Sequence, residues 1–256
     1  MMTVGVGNVR HRPVGQKTAL YLRGLALTAA LLGSTGMASA ASDITGTWGR
    51  AGKLGLKWGS MEPPPPLKEP YATQWKALEA KKAAAFADGT PYANNGTRCL
   101  PDGPPLMMEA IYPMEFLQTP GQVTIIAEER SQIRRIWLDS KQVSLDDFPP
   151  GYYGNSVGHW SGNVLEVSTI GFKDDVRIND APHSPQMELR ERIHLVAPDL
   201  MHDDVTVIDP QYLMKPWSWS YAYKRLPGYH LMEFVCDNNL EQVDATGHTI
   251  INIPKR

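Results

Sequence analysis

The stretch Met187-Glu188-Leu189-Arg190-Glu191-Arg192-Ile193-His194-Leu195-Val196 alternates from end to end. Successive side chains of a strand point to opposite faces. One row is therefore Met187, Leu189, Glu191, Ile193 and Leu195; the other is Glu188, Arg190, Arg192, His194 and Val196. The first row faces a core and the second faces water. The same period recurs on either side, at Met114–Gln118, Gln122–Glu129, Gln132–Asp139, Ser156–Trp160, Val164–Ile170, Asp203–Ile208, Trp217–Arg225 and Tyr229–Cys236. Turn formers separate many of these runs: Pro120-Gly121, Ser161-Gly162-Asn163, Ala197-Pro198-Asp199 and Leu226-Pro227-Gly228. Successive strands joined this way pair antiparallel, as a meander. About eight or nine such strands favour a closed barrel, because closure removes the sheet edges.

Upstream of the strands the pattern changes. Ala51 to Pro70 is rich in Gly and Pro, including Pro63 to Pro66, and reads as a loop or polyproline arm. Tyr71–Phe86 follows Pro70, is rich in Ala, Lys and Leu, and predicts one helix closing near Gly89. Tyr71, Trp75, Leu78 and Ala85 fall on one of its faces, with Lys82 interrupting the stripe and Glu79 bordering it. Before the arm, Gly46-Thr47-Trp48 resembles the G-x-W opening of lipocalin-type barrels.

The chain has 256 residues and a formal net charge of −2, which argues against a nucleic-acid binder. That charge is unevenly distributed. Arg10, Arg12, Lys17 and Arg23 lie in a first segment without acids, followed by an apolar run from Leu25 to Leu32 and the small-residue end Met37-Ala38-Ser39-Ala40. This is the layout of a secretory signal peptide over residues 1–40, leaving residues 41–256 as a single β-barrel domain, periplasmic or otherwise exported. The membrane then matters only for export. Export bears on Cys99 and Cys236, the two cysteines present. They form either one disulfide or two buried thiols, and they are too few for a Cys-rich zinc site.

The inward rows carry the chemistry. Glu191 is a carboxylate among four apolar neighbours, a situation that demands a cation or a raised pKa. Trp217, Trp219, Tyr221 and Tyr223 form an aromatic ladder on one face of their strand. In a small barrel such a ladder is either packed core or the wall of a site for an aromatic ligand. Arg134 and Arg135 occupy opposite faces of one strand, so one of them points inward, to pair with Glu191 or to clamp a carboxylate. Glu233 is a second acid in an apolar row, and His183 stands where the chain enters the Glu191 strand. No histidine pair has zinc-helix spacing, and no metal or cofactor is expected. Gly154-Asn155-Ser156-Val157-Gly158 has the letters of a nucleophile elbow without its strand-to-helix setting.

Several strings together resemble a large, mostly uncharacterised family of exported bacterial proteins. They are Arg98-Cys99-Leu100-Pro101, Tyr112-Pro113-Met114-Glu115, Gln118-Thr119-Pro120, Gln132 to Trp137, Gly158-His159-Trp160-Ser161-Gly162, Pro182-His183-Ser184, Glu191-Arg192, Lys215-Pro216-Trp217 and Glu233 to Cys236. Members often carry His where this chain has Asn155 and Asn where it has Lys173, so no role carries over at those positions. The resemblance implies cofactor-independent decarboxylation, or a related lyase step, on lignin-derived aromatic acids. Phenolic acid decarboxylases, a separate family, use a lipocalin-like barrel with inward Tyr, Arg and Glu, a parallel at the level of fold. In that reading Arg135 and Tyr221 hold the substrate carboxylate, Arg134 assists, and the aromatic ladder stacks on the ring. Glu191, with His183 or Glu233, moves protons. The rival reading is a periplasmic carrier or sensor of apolar small molecules, in which Glu191 pairs permanently with an arginine. An Arg–Glu pair locked deep in a small closed barrel favours the rival; a pair on the wall of an open pocket beside His183 favours the enzyme.

Overall fold

The computed structural model describes residues 42–51, 63–236 and 241–251. The leader expected over residues 1–40 and positions 52–62 of the arm lie outside the described residues. Nine strands close a barrel: β1 Gly46–Arg50, β2 Met114–Thr119, β3 Gln122–Ala127, β4 Gln132–Leu138, β5 Asn155–Ser161, β6 Val164–Ile170, β7 Glu188–Ala197, β8 Leu200–Ile208 and β9 Trp217–Arg225. Each strand pairs with the next, and β9 returns to β1 through Trp48↔Arg225, Gly49↔Lys224 and Arg50↔Tyr223. The barrel is lipocalin-like, with one α-helix among the described residues, α1 Tyr71–Ala87, and a short hairpin of β10 Glu241–Val243 and β11 Thr249–Ile251.

One step departs from a pure meander. β4 and β5 run parallel, with Ile136 opposite Ser156 and Leu138 opposite Gly158. A parallel neighbour cannot be reached by a tight turn, so the chain uses residues 139–154 as a long crossover. Register then decides which rows face inward. Val123 and Ile125 of β3 are fully buried and lie opposite Ile136 and Arg134, so Arg134 enters the lumen and Arg135 does not.

The run Tyr229–Cys236 alternates like a strand but joins no ladder among the described residues. The free edge of β9 is already taken by β1, so beyond Gly228 (φ +74°) no ladder is left to extend. The segment instead lies as a strap along the barrel. Glu128 accepts hydrogen bonds from Tyr229 Oη (2.9 Å) and Met232 N (2.8 Å), and Tyr112 packs edge-on against Phe234. A Cys99–Cys236 disulfide anchors its end, with Cα atoms 5.8 Å apart across 137 residues of sequence.

The helix touches the barrel through Tyr71, Trp75 and Ala85 of the expected stripe, joined by Glu79 and Lys82 in place of Leu78. Tyr71 stacks on Tyr212 and Trp75 Nε1 donates to Asn179 O (2.8 Å), while Leu78 and Phe86 are exposed. Lys82, seemingly an interruption, pairs with Asp180, and Glu79 lies half-buried beside them. Burial and the neighbouring Asp180 raise the Glu79 pKa. No helix among the described residues is long and apolar enough to cross a membrane.

The G-x-W opening acts as a clasp at the closing seam. Trp48 is fully buried, its Nε1 donates to Ile44 O (2.9 Å), and the Arg225 guanidinium lies 4.2 Å over its ring. Arg225 Nη1 also donates to Thr45 O (2.5 Å). Gly46 is required there: its φ is +128°, and a Cβ would stand 2.8 Å from Arg225 Nη1.

Candidate functional site

The barrel centre is polar and sealed. Arg134 and Glu191 are each 1% exposed and meet in a bidentate pair, Nη1 to Oε1 at 2.8 Å and Nη2 to Oε2 at 2.5 Å. Arg134 also donates through Nε to Ser156 Oγ (3.1 Å) and through Nη2 to Thr169 Oγ1 (2.9 Å); the two hydroxyls bond each other at 2.8 Å. Burial alone would lower the guanidinium pKa, but Glu191 more than offsets this and raises it. Such pairing is what makes a buried ion pair tolerable.

Asp203, from β8, joins this centre and is fully buried. Burial first, then Glu191, push its pKa well above the usual carboxylate range, against the opposing pull of Arg134. Neither carboxyl oxygen has a hydrogen-bond partner among the described residues. Tyr221 and Tyr223 close the same region. Tyr223 Oη donates to Met108 O (2.5 Å), and burial followed by Asp203 raises its pKa strongly.

The remaining expected site residues are scattered. Trp217 and Trp219 continue the ladder, with ring centroids 5.0 Å apart, and Trp217 Nε1 donates to Pro63 O. His183 stands at the barrel end where β7 begins, both ring nitrogens against backbone carbonyls, Ser184 O at 2.9 Å and Lys173 O at 3.0 Å. The cleft it lines with Met187, Val207, Asp209, Leu213 and Trp217 has a free volume of about 10 Å³, the space of roughly one water. Asp209 is consumed there by Ser184, Gln211 and Tyr212. Arg135 points away from the lumen, exposed between Ile133 and Trp137, so it cannot clamp a ligand inside. Glu233 is exposed on the strap, which places it outside any inward row. The structure therefore brings together Arg134, Glu191, Tyr221 and Tyr223, and separates them from His183, Glu233 and Arg135.

The opposite end, where the β2–β3 turn meets the ends of β4 and β5, holds an open cup of about 510 Å³. Its lining is Asp43, Thr45, Gln118 to Gly121, Leu138 and Trp160. The Trp160 indole N–H is buried without a partner among the described residues. This cup was not foreseen, because it is assembled from strand ends far apart in sequence. Asp203 and Thr169 were legible by the rule that singled out Glu191: each is a polar residue in an apolar row, beside Val205 and Val207 or Leu165 and Val167. Among the described residues no group of three or more His, Cys, Asp and Glu is placed to hold a metal ion.

Fold and site together define a closed nine-stranded mixed β-barrel with a sealed ionic centre and a surface cup at one end. Comparison with protein-family models, curated proteins and solved structures finds no match to this chain.

Proposed function

We propose that this chain is an exported carrier or sensor that binds a small ring compound in the cup beside Trp160 and releases it unchanged. The observation that carries this reading is the sealed Arg134: four hydrogen bonds to Glu191, Ser156 and Thr169 occupy its guanidinium, with no exposed side-chain surface on either ion. A substrate carboxylate would have to displace Glu191 in a water-excluded lumen to reach it. The cup, by contrast, has the volume of an ordinary small-molecule site and an aromatic wall. Export is supported by the basic, acid-free leader and by the disulfide, which persists in oxidising compartments. The test is incubation with a panel of phenols and phenolic acids, read by mass spectrometry for bound and for altered compound. Bound, unaltered compound is expected; release of carbon dioxide would replace this reading with the lyase.

One observation favours that second reading, a cofactor-independent lyase acting on an aromatic acid. Asp203 is a carboxyl group whose pKa burial and Glu191 push well up in a dry site, and a shift in that direction suits a group that delivers a proton to a substrate carbon. The lumen would have to open for substrate to arrive. Carbon dioxide release that disappears in Asp203→Asn, with the fold retained, is the outcome this reading requires.

A further inference from the structure

We propose that the cup takes an uncharged ring bearing hydroxyl groups and excludes aromatic carboxylates. This rests on the binding reading above and narrows its ligand. Trp160, Leu138 and Pro120 supply the apolar part of the lining, the kind of wall against which a ring packs. The polar part is Asp43, Thr45, Gln118 and Thr119, and no Lys, Arg or His lines the cup.

The state of each polar group defines what it can recognise. Asp43 Oδ1 accepts from Thr45 N at 2.9 Å. That backbone bond and the Thr45 hydroxyl hold its pKa below the usual carboxylate range, so the group is an anion at neutral pH. An aromatic carboxylate entering the cup would meet this charge, and the nearest cation, Arg225, is already engaged by Asp43, by Thr45 O and by the Trp48 ring. A hydroxyl instead donates to the carboxylate in a charge-assisted bond. Gln118 Oε1 is already accepting from Ile44 N (3.4 Å), which leaves its NH2 group to donate outward. Thr119 has spent its hydrogen on Gln122 O (3.2 Å) and keeps lone pairs to accept. Acceptors and a donor thus ring an aromatic wall, and a ring with several hydroxyls satisfies both kinds at once. The same chemistry is offered by a neutral phenol and by a sugar ring.

The test follows the Trp160 indole and Gln118 side-chain amide signals in 1H–15N spectra of the labelled protein, assigned with Trp160→Phe and Gln118→Ala. Four probes are titrated: catechol, methyl β-glucopyranoside, 4-hydroxybenzoate and benzylamine. Both signals are expected to shift with catechol or with the glucoside, whichever shifts them naming the source, and to stay fixed with 4-hydroxybenzoate. Asp43→Asn should weaken the neutral probe about fivefold, the difference between a charge-assisted and a neutral hydrogen bond, and should admit 4-hydroxybenzoate. Binding of 4-hydroxybenzoate to the wild-type cup as tight as any neutral probe, or binding of benzylamine alone, overturns the hydroxylated-ring proposal and leaves the binding reading standing. If no probe moves either signal, the cup is not a site and both fall.

Discussion

At the scale of single residues, the centre of the barrel is an ion pair whose worth depends on both partners staying. Removing one charge leaves the other buried and unpaired, which typically costs about 3–5 kcal/mol, whereas replacing both by apolar groups is often close to neutral. Arg134→Met is therefore expected to lower stability by about that amount in urea unfolding, and Arg134→Met with Glu191→Leu to recover most of it. A double variant as damaged as the single one would mean the pair is not the unit described. Asp203 makes a second prediction, about pH. Its native pKa lies well above the ordinary carboxylate range, so at pH values between the unfolded and native pKa the folded state keeps a proton that the unfolded chain releases. Its contribution is fully present below the unfolded pKa and is lost as pH rises toward the native one, by at most about 1.4 kcal/mol per pH unit. Asp203→Asn should flatten that slope at pH values above the unfolded pKa and should gain stability relative to wild type as pH rises. The inward position of Glu191 was readable from alternation. Its partner was not, because Ile133 and Trp137 flank Arg135 as convincingly as Ile136 and Leu138 accompany Arg134. Only the register against Val123 and Ile125 decides between them, and register is a property of two strands.

At the scale of elements, the strap and the helix show why local pattern misleads at the edge of a closed sheet. Tyr229, Leu231, Glu233 and Val235 have the spacing of a strand, but a strand needs a partner edge and β1 had taken it. What remains is held by the Cys99–Cys236 bridge, by Glu128 and by the Tyr112–Phe234 contact, with Met232 68% and Val235 73% exposed. Few buried contacts imply low local stability once the tether is cut. Cys99→Ser with Cys236→Ser is expected to cost about 2–4 kcal/mol, mainly by releasing the unfolded chain from a loop closed across 137 residues. Hydrogen exchange should then rise across residues 229–236 first, with the β5–β8 ladders unchanged. Equal loss of protection in those strands would show instead that the bridge holds the barrel itself. In α1 the helical period and most of its contact face were legible, through Tyr71, Trp75 and Ala85, while the place of Leu78 on that face was not. Lys82 turns inward to pair with Asp180, and nothing in the helix sequence announces Asp180.

At the scale of the whole molecule, closure depends on the shortest part of the barrel sequence. β1 has only five residues, yet it pairs with both β2 and β9 and so turns a curved sheet into a barrel. Apart from Gly46-Thr47-Trp48 it carried no strand signal, and the parallel β4–β5 step carried none, since both arise from how distant ends meet. The seam is made by Arg225 stacked on Trp48 and bonded to Thr45 O, with Gly46 leaving room for the guanidinium. An alanine at Gly46 would both occupy a backbone region that L-residues avoid and drive its Cβ into Arg225. Arg225→Met keeps much of the side chain's bulk but loses the cation and its carbonyl bonds to Thr45 and Pro198, an expected cost of about 1–3 kcal/mol. Because β1 is a single strand shared by two ladders, its amides and their partners on β2 and β9 should lose exchange protection together in either variant. The β5–β6 and β6–β7 ladders, on strands that do not pair with β1, should keep theirs. Loss confined to the β1–β9 side would mean that β1 is held by β2 alone. The barrel would then be an open sheet resting against itself, and Gly46 and Arg225 would matter to one edge instead of to closure.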